Sequence, residues 1–331
     1  MDVAKWRGRL TGRCTGNNNV ITVWDDAYCT DAASMNSTTK QRTVVGLATA
    51  EQLLEPRAVP FDAAATWADI ATVHDPAFVE AVRTGRPLGL AQSQGFTWSP
   101  AFADAVCRIW SGHIAACRIA LDAGMAFHPV SGAHHAGFAR GSGFCTFNYL
   151  VGAARALLAD GLERVAIVDL DAHPGDGTFE LARRDRPRRT ATGRLLARPE
   201  TGPRASAIAL FDIAGGRWCD TGDEDGVEYL VARDAEEYWS ALDRLPGFLD
   251  RVRPQLVQYQ AGMDPFEGDG VGGIDGVNET FLGERDRFVI EQIRSRGIPL
   301  VVNLAGGYVR GVSERLHVNT VRAMSAWAGS R

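Results

Sequence analysis

The chain has 331 residues, of which 45% are hydrophobic and 23% charged, and its formal net charge is −5. This composition is typical of a globular protein with enough chain to bury a large core. The lack of an overall basic charge argues against nucleic acid as a partner. No run of eighteen apolar residues occurs, so no membrane span is predicted.

The first residues, "MDVAKWRGRLTGRC", lack the apolar core of a signal peptide. The six cysteines form no C-x-x-C pair, and a chain of this length does not need disulfide bonds to be stable. We therefore expect a cytoplasmic protein whose thiols are reduced.

Short β-branched runs alternate along the chain with longer amphipathic segments. The predicted strands are Val20–Trp24, Ala126–Val130, Arg164–Leu170, Ala205–Phe211, Gln255–Gln260 and Pro299–Leu304. The predicted helices are Thr43–Leu54, Pro76–Thr84, Ala101–Ala123, Phe147–Ala159, Ala235–Val252 and Leu282–Ser295. The strands are nearly continuous apolar runs, which indicates a parallel sheet covered on both faces. We predict a single α/β domain over residues 1–331, three-layered (α/β/α) with a mainly parallel central sheet and an N-terminal extension over 1–19.

Residues 181–204 interrupt this pattern with eight arginines and little apolar material. One interpretation is a solvated, mobile excursion from the domain. The other is a docking surface for an acidic partner or substrate.

Parallel sheets bind ligands at the carboxyl ends of their strands. "DLDAHPGDG", "YQAGMDPFEGDG" and "NLAGGYVRG" each follow a predicted strand. Asp171 and His173 are two residues apart, so in an extended chain their side chains point the same way. Asp264, after a different strand, would complete a three-ligand site with an open position, which is typical of a catalytic metal. Zinc suits this ligand set, with Fe²⁺ or another divalent ion as the alternative.

A metal hydrolase also needs a base for its water and a donor for the oxyanion. The segment "GAHHAG" provides His134 and His135, and Asp169 and Asp176 can hold the tautomers of these rings. Tyr308, on the glycine-flanked loop "AGGYV", can donate to a developing oxyanion.

Four motifs occur in the order found in the histone deacetylase superfamily: "HHAGFARGSGFCTFN", "VAIVDLDAHPGDGT", "YQAGMDPFEGD" and "GIPLVVNLAGGY". The chain resembles that family from about Val20 to its last residue. "AGMDPFEGD" and "ERDRFV" are most similar to bacterial members close to the class IV deacetylases. The resemblance implies the arginase–deacetylase fold.

The resemblance also implies that one zinc ion is held by Asp171, His173 and Asp264. It implies catalytic roles for a tyrosine, two histidines and their aspartate partners: Tyr308, His134, His135, Asp169 and Asp176. In such an enzyme His135 is the general base, and Tyr308 polarises the acyl carbonyl together with the metal.

Four further positions match the walls and rim of the family's acyl-lysine tunnel: Gly143, Phe144, Trp218 and Val271. The resemblance implies a potassium ion near four residues: Asp169, Asp171, His173 and Leu210.

The chain departs from the pattern of this family at several positions. Gly175 and Gly262 stand where the two-manganese arginases have carboxylates, so we expect a single metal and no guanidine hydrolysis. Ala209 replaces a serine that helps to bind potassium in many relatives. The family's early His-Pro pair is missing, and Lys40 and Arg42 stand in for its basic residues.

The sequence therefore predicts a zinc-dependent amidohydrolase that removes an acyl group, chiefly acetyl, from an N-acylated amine such as acyl-lysine. The alternatives are an acetylpolyamine or small-metabolite amidohydrolase and a catalytically silent module that binds acylated ligands. An acidic segment at 220–226 either lines an entrance suited to polyamines or is a solvated turn. A small molecule or a peptide is the expected substrate, and the oligomeric state stays open.

Overall fold

The computed structural model describes residues 19–31, 36–184, 207–216 and 226–329. In this part of the chain eight strands form one sheet: β1 Val20–Val23, β2 Leu54–Arg57, β3 Met125–His128, β4 Val165–Asp169, β5 Ile208–Ala214, β6 Val227–Val231, β7 Val257–Gln260 and β8 Leu300–Asn303. Their order is β2-β1-β3-β8-β7-β4-β5-β6, and every neighbouring pair is parallel. The predicted α/β class is confirmed, with a wholly parallel sheet in the described residues.

The described residues also form eleven α-helices. These are α1 Lys40–Ala50, α2 Ala63–Ile70, α3 Pro76–Thr84, α4 Leu88–Ala91, α5 Pro100–Ala123, α6 Tyr149–Ala159, α7 Asp176–Arg184, α8 Ala235–Leu242, α9 Leu245–Val252, α10 Glu279–Ser295 and α11 Val312–Gly329.

The helices cover both faces of the sheet. Residues of α1 and of α8 to α11 pack on one face, and residues of α2, α3, α5, α6 and α7 pack on the other. Consecutive strand residues such as Ile167 and Val168 therefore pack in separate hydrophobic cores, one on each face of the sheet. Because both faces are covered, the inner strands are mostly apolar, and the charged residues of the candidate site lie at or beyond the strand ends.

The prediction missed the two edge strands, β2 and β6. Strand β2 consists of Leu54, Glu55, Pro56 and Arg57, so only its first residue is apolar. Proline is tolerated there because an edge strand needs no hydrogen bond on its outer side. Every residue of β6 is only half-buried, so neither edge has the apolar run that identified the inner strands.

Two predicted helices need correction. The helix predicted over 43–54 begins at Lys40 and ends at Ala50, and Leu54 already belongs to β2. The segment predicted as one helix over 235–252 forms two, α8 and α9. Pro246 lies in the first turn of α9, where its missing N–H costs nothing; within a continuous helix it would remove a hydrogen bond.

Several predictions fall outside the described residues: the N-terminal extension up to residue 18, most of the arginine-rich segment, the acidic segment up to 225, and Trp218. The first residues of the arginine-rich segment, 181–184, form the end of α7. The domain boundaries at 1 and 331 remain a prediction. None of the described helices is long and apolar enough to cross a membrane.

Candidate metal centre and active site

Four central strands, β3, β8, β7 and β4, are neighbours in the sheet, and their carboxyl ends are level. In the register, His128 pairs with Asn303, Asn303 with Gln260, and Gln260 with Asp169. The loops that follow these strand ends carry His134, His135, Asp171, His173, Asp264 and Tyr308. The sheet thus brings residues from distant parts of the chain to one edge.

The three predicted metal ligands lie together. Asp171, His173 and Asp264 each offer a ligand atom within 4.8 Å of the others, and no second such cluster occurs among the described residues. His173 Nδ1 lies 3.1 Å from Asp171 Oδ1 and 3.0 Å from Asp264 Oδ2. His173 Nε2 lies 3.1 Å from the carbonyl oxygen of Val271, to which its N–H can donate. Donation from Nε2 to that carbonyl leaves Nδ1 as the ring atom directed at both carboxylates, where it can bind a metal in place of a proton.

Backbone groups hold the two carboxylates in place. Gly306 N donates to Asp171 Oδ2 at 2.8 Å, and Ala172 N donates to Asp264 Oδ1 at 3.1 Å. A Cβ at position 306 would lie 2.5 Å or less from a carboxylate oxygen of each aspartate, so only glycine allows this close approach. Burial, with the neighbouring charge of Asp171, raises the pKa of Asp264 to about 7. A raised pKa means that ionising both buried carboxylates costs free energy. A cation between them would offset this cost, so the donor set fits a divalent ion.

The adjacent histidines each contact an aspartate. His134 Nδ1 lies 3.0 Å from Asp169 Oδ2, and His135 Nδ1 lies 2.6 Å from Asp176 Oδ1. The first pair is buried, whereas half of the Asp176 side chain is exposed. Burial, then the neighbouring His134, lowers the pKa of His135 despite the opposing effect of Asp176. At neutral pH His135 is therefore a neutral ring that donates from Nδ1 and can accept a proton at Nε2.

Tyr308 lies on a loop that two charged side chains hold. Asp269 Oδ2 accepts the Tyr308 N–H at 2.7 Å, and the buried Lys40 donates from Nζ to the carbonyls of Ala305 and Gly307 at 2.6 and 3.3 Å. Burial raises the pKa of Tyr308, and the carboxylates nearby raise it further. The phenol therefore keeps its proton and can act as a hydrogen-bond donor.

Seven of the residues named above line one pocket: His134, Gly143, Phe144, Asp171, Ala305, Gly306 and Tyr308. The rings of Phe144 and Tyr308 are 6.0 Å apart. Phe144 and Ala305 have φ angles of 62° and 59°, which are unfavourable for residues other than glycine. Such strained backbone is frequent where a structure holds functional groups in a set geometry.

The predicted tunnel residues Gly143 and Val271 are exposed at the rim, and 45% of Val271 is accessible. Leu210 is buried on β5, opposite Ile167, and the potassium site that includes it stays a prediction.

Sequence reasoning missed the role of Asp269. One of its oxygens accepts the Tyr308 N–H, and the other accepts the Val271 N–H at 2.9 Å. It therefore joins the tyrosine loop to the rim. The available signal was an acidic residue in a glycine-rich segment, "GDGVGG", immediately after a predicted ligand loop.

The fold and the site together define a protein of the arginase–deacetylase class with a candidate metal centre at the carboxyl edge of its sheet. A family model, the histone deacetylase domain, matches residues 34–191. An uncharacterized protein of Picosynechococcus sp. is 30% identical, over 84% of this chain and 88% of its own length. The chain belongs to the histone deacetylase superfamily.

Histone deacetylase 2 of Arabidopsis thaliana is 32% identical over 65% of this chain, and the match spans about half, 52%, of that protein. Among solved structures, an acetylpolyamine aminohydrolase from Burkholderia pseudomallei superposes with a TM-score of 0.73 at 18% identity, covering 93% of this chain and 99% of that one. At this identity the likeness concerns the fold.

Proposed function

We propose that the protein is a zinc-dependent amidohydrolase that removes an acyl group, chiefly acetyl, from an N-acylated amine such as acyl-lysine. The observation that carries the proposal is the orientation of His173. Its Nδ1 faces two buried carboxylates while its Nε2 is engaged by a carbonyl, beside two histidine–aspartate pairs and a protonated tyrosine. Membership of a deacetylase family supports the same chemistry.

Asp171, His173 and Asp264 would hold the zinc ion, which when bound would supply a Lewis acid able to lower the pKa of water toward roughly 7 and to polarise a carbonyl. Gly306 N and Ala172 N keep the two carboxylate ligands oriented toward His173.

His135 takes a proton from the attacking water, because its ring is neutral and Asp176 fixes the Nδ1–H tautomer. The same ring can then return the proton to the leaving amine. His134, bonded to Asp169, places its Nε2 3.8 Å from Asp171 Oδ1, on the metal side of the pocket. It acts as the electrostatic partner of His135.

Tyr308 donates its phenol proton in a hydrogen bond to the oxygen of the tetrahedral intermediate, a contribution of about 3 kcal/mol. Phe144 forms an apolar wall of the acyl slot, with Gly143 and Val271 at its entrance. Trp218, the other aromatic wall in the prediction, lies outside the described residues. The potassium ion of the prediction remains part of this proposal.

The test is a substrate panel on zinc-replete protein: an acetyl-lysine peptide, the same peptide with longer acyl chains, and acetylputrescine. We expect one zinc per chain and release of acetate from the acetyl-lysine peptide, abolished by a chelator and restored by zinc. Turnover of acetylputrescine alone would identify a polyamine enzyme. Stoichiometric zinc without hydrolysis of any substrate would contradict the proposal and favour a silent binding module.

A further inference from the structure

Arg285, on helix α10, is completely buried, with no exposed surface. Burying a charged guanidinium costs free energy unless each of its donors finds a partner. Its Nη1 donates to the carbonyl oxygens of Leu170 and Gly262 at 3.2 and 2.8 Å. Its Nε and Nη2 contact Asp286 Oδ1 at 2.9 and 2.8 Å. The side chain therefore joins three separate parts of the chain.

The two carbonyls belong to the loops that carry the candidate metal ligands. Leu170 immediately precedes Asp171, and Gly262 lies two residues before Asp264. Arg285 Nη2 also lies 3.9 Å from the sulfur of Met263, the residue between Gly262 and Asp264. The guanidinium thus contacts the backbone of both loops just before each carboxylate.

The sheet itself does not hold the loops at this point. The last hydrogen bond between β4 and β7 runs from Leu170 N to Gln260 O, at 3.1 Å. Beyond it the chains leave the ladder, and buried carbonyls there need other donors. On the other side the loops are in close contact, because a Cβ at Gly262 would lie 2.7 Å from Asp171 Cα. Arg285 supplies a donor to the carbonyls of both loops, and the Leu170 carbonyl also accepts the Tyr238 hydroxyl at 3.3 Å.

Arg285 is itself held in one orientation. Its partner Asp286 accepts the hydroxyl of Tyr259, on β7, at 2.6 Å and that of Thr320, on α11. Since Asp286 is anchored by a strand and by a second helix, the plane of the guanidinium is determined before any ligand binds.

We infer that Arg285 is a positioning residue of the metal centre, which sets the separation of the carboxylates Asp171 and Asp264 by clamping the carbonyls of Leu170 and Gly262. Asp286 orients it. The inference rests on the proposed function to the extent that both require a metal at these ligands. It assigns no contact between Arg285 and the substrate.

A merely structural ion pair would stabilise the fold without affecting the metal, so the test compares two buried arginines on α10. Arg294 is also buried and donates to the carbonyl of Ile298 at 2.6 Å, at the opposite edge of the sheet, just before β8. Lysine at either position keeps the charge. At position 285 it cannot span two carbonyls and Asp286 together, because it lacks the planar fork of donors.

We would measure the zinc affinity of wild type, Arg285→Lys and Arg294→Lys by competition with a chelator. The visible spectrum of the Co²⁺ form and the thermal midpoint of the metal-free form would complete the comparison. We expect Arg285→Lys to bind zinc about 10- to 100-fold more weakly and to shift the Co²⁺ bands. Arg294→Lys should keep the wild-type zinc affinity and Co²⁺ spectrum, even if its thermal midpoint falls as far as that of Arg285→Lys. Asp286→Asn keeps one oxygen acceptor, replaces the other with an NH2 group and removes the charge that orients the guanidinium. It should weaken zinc binding in the same direction, and it replaces Arg285→Lys if that variant does not fold.

Wild-type affinity and spectrum in the folded variant, or an equal loss in Arg294→Lys, would overturn the inference. If wild type binds zinc but hydrolyses no substrate, the proposed function fails while the affinity difference still supports the role of Arg285. If wild type hydrolyses its substrate and Arg285→Lys binds zinc normally, only the inference fails. A wild-type protein without any zinc affinity would refute both.

Discussion

The candidate site has a floor, formed by the carboxylates of Asp171 and Asp264, and a rim, formed by Gly143 and Val271, and the two differ in their exposure to solvent. At the floor, the side chains of Asp171 and Asp264 are at most 2% exposed and accept hydrogen bonds from backbone N–H groups. At the rim, Gly143 and Val271 face solvent, and the Val271 side chain makes no hydrogen bond because it is apolar. Changes at the floor should therefore abolish the chemistry, whereas changes at the rim should alter substrate preference and leave the chemistry intact.

The largest effect is expected for Asp264→Ala. Removing a carboxylate from a three-ligand site should eliminate stoichiometric zinc and, with it, all turnover. Zinc content after dialysis and circular dichroism of the same sample test this. The control is Asp275→Ala, an exposed carboxylate shortly after the same loop, which should keep zinc. One zinc per chain in Asp264→Ala would show that the ligand assignment is wrong.

A large effect on rate alone is expected for Tyr308→Phe. The phenylalanine keeps the ring beside Phe144 but removes the donor to the oxyanion, so kcat should fall about 10²- to 10³-fold. Zinc content and thermal midpoint should stay close to wild type. Near-normal kcat would exclude Tyr308 from the reaction.

The stability of the fold should also be sensitive to acid, through a buried histidine that contacts the loop after His134 and His135. His74 is buried between the Gly137 carbonyl, at 2.9 Å from its Nδ1, and the Asn148 N–H, which donates to its Nε2 at 3.0 Å. This arrangement requires the neutral ring, and burial lowers the pKa of His74 to about 4. The pKa of His113 is likewise lowered by burial to about 4.

Because an unfolded histidine titrates near 6.5, acid protonates the unfolded chain first. The free energy of unfolding should therefore decrease as pH falls from about 6.5 to 4, by up to about 3 kcal/mol for each histidine. Urea unfolding at pH 7, 6 and 5 measures this decrease, and His74→Gln should make it shallower. A decrease in wild type no steeper than that in His74→Gln would contradict the expectation, since the comparison cancels the titration of other groups.

The smallest effect is expected at the rim, for Val271→Ala. The shorter side chain loses apolar contact with a substrate, about 1 kcal/mol or roughly fivefold in KM. Zinc affinity and kcat should not change, because the backbone carbonyl that contacts His173 remains. A comparable loss of kcat would show that the side chain contributes to the chemistry and that floor and rim are not separable in this way.

The floor could be predicted from the sequence because its ligands follow recognisable strands. The spacing of Asp171 and His173 places them on one side of an extended segment, and the parallel sheet brings Asp264 to the same edge. The inner strands were found for the same reason, since burial on two faces makes them continuous apolar runs.

The supports of the floor could not be predicted in this way. Arg285 contacts carbonyls 115 and 23 residues earlier in the chain, and no local pattern indicates that its helix passes beneath both loops. Asp269 lies in a segment whose composition is that of an ordinary turn. The edge strands β2 and β6 escaped detection because exposure at the edge of the sheet removes the apolar signal.

The bond between His173 and the carbonyl of Val271 limits how this member of the superfamily can change during evolution. Residue 271 can change its side chain freely, but its backbone must stay where the imidazole N–H meets it at 3.1 Å. Insertions or deletions between Asp269 and Gly273 would move that oxygen, so His173, a candidate metal ligand, would lose the bond that fixes its tautomer. New substrate preferences should therefore arise here by point substitution, and remodelling of loop length should be confined to other parts of the entrance.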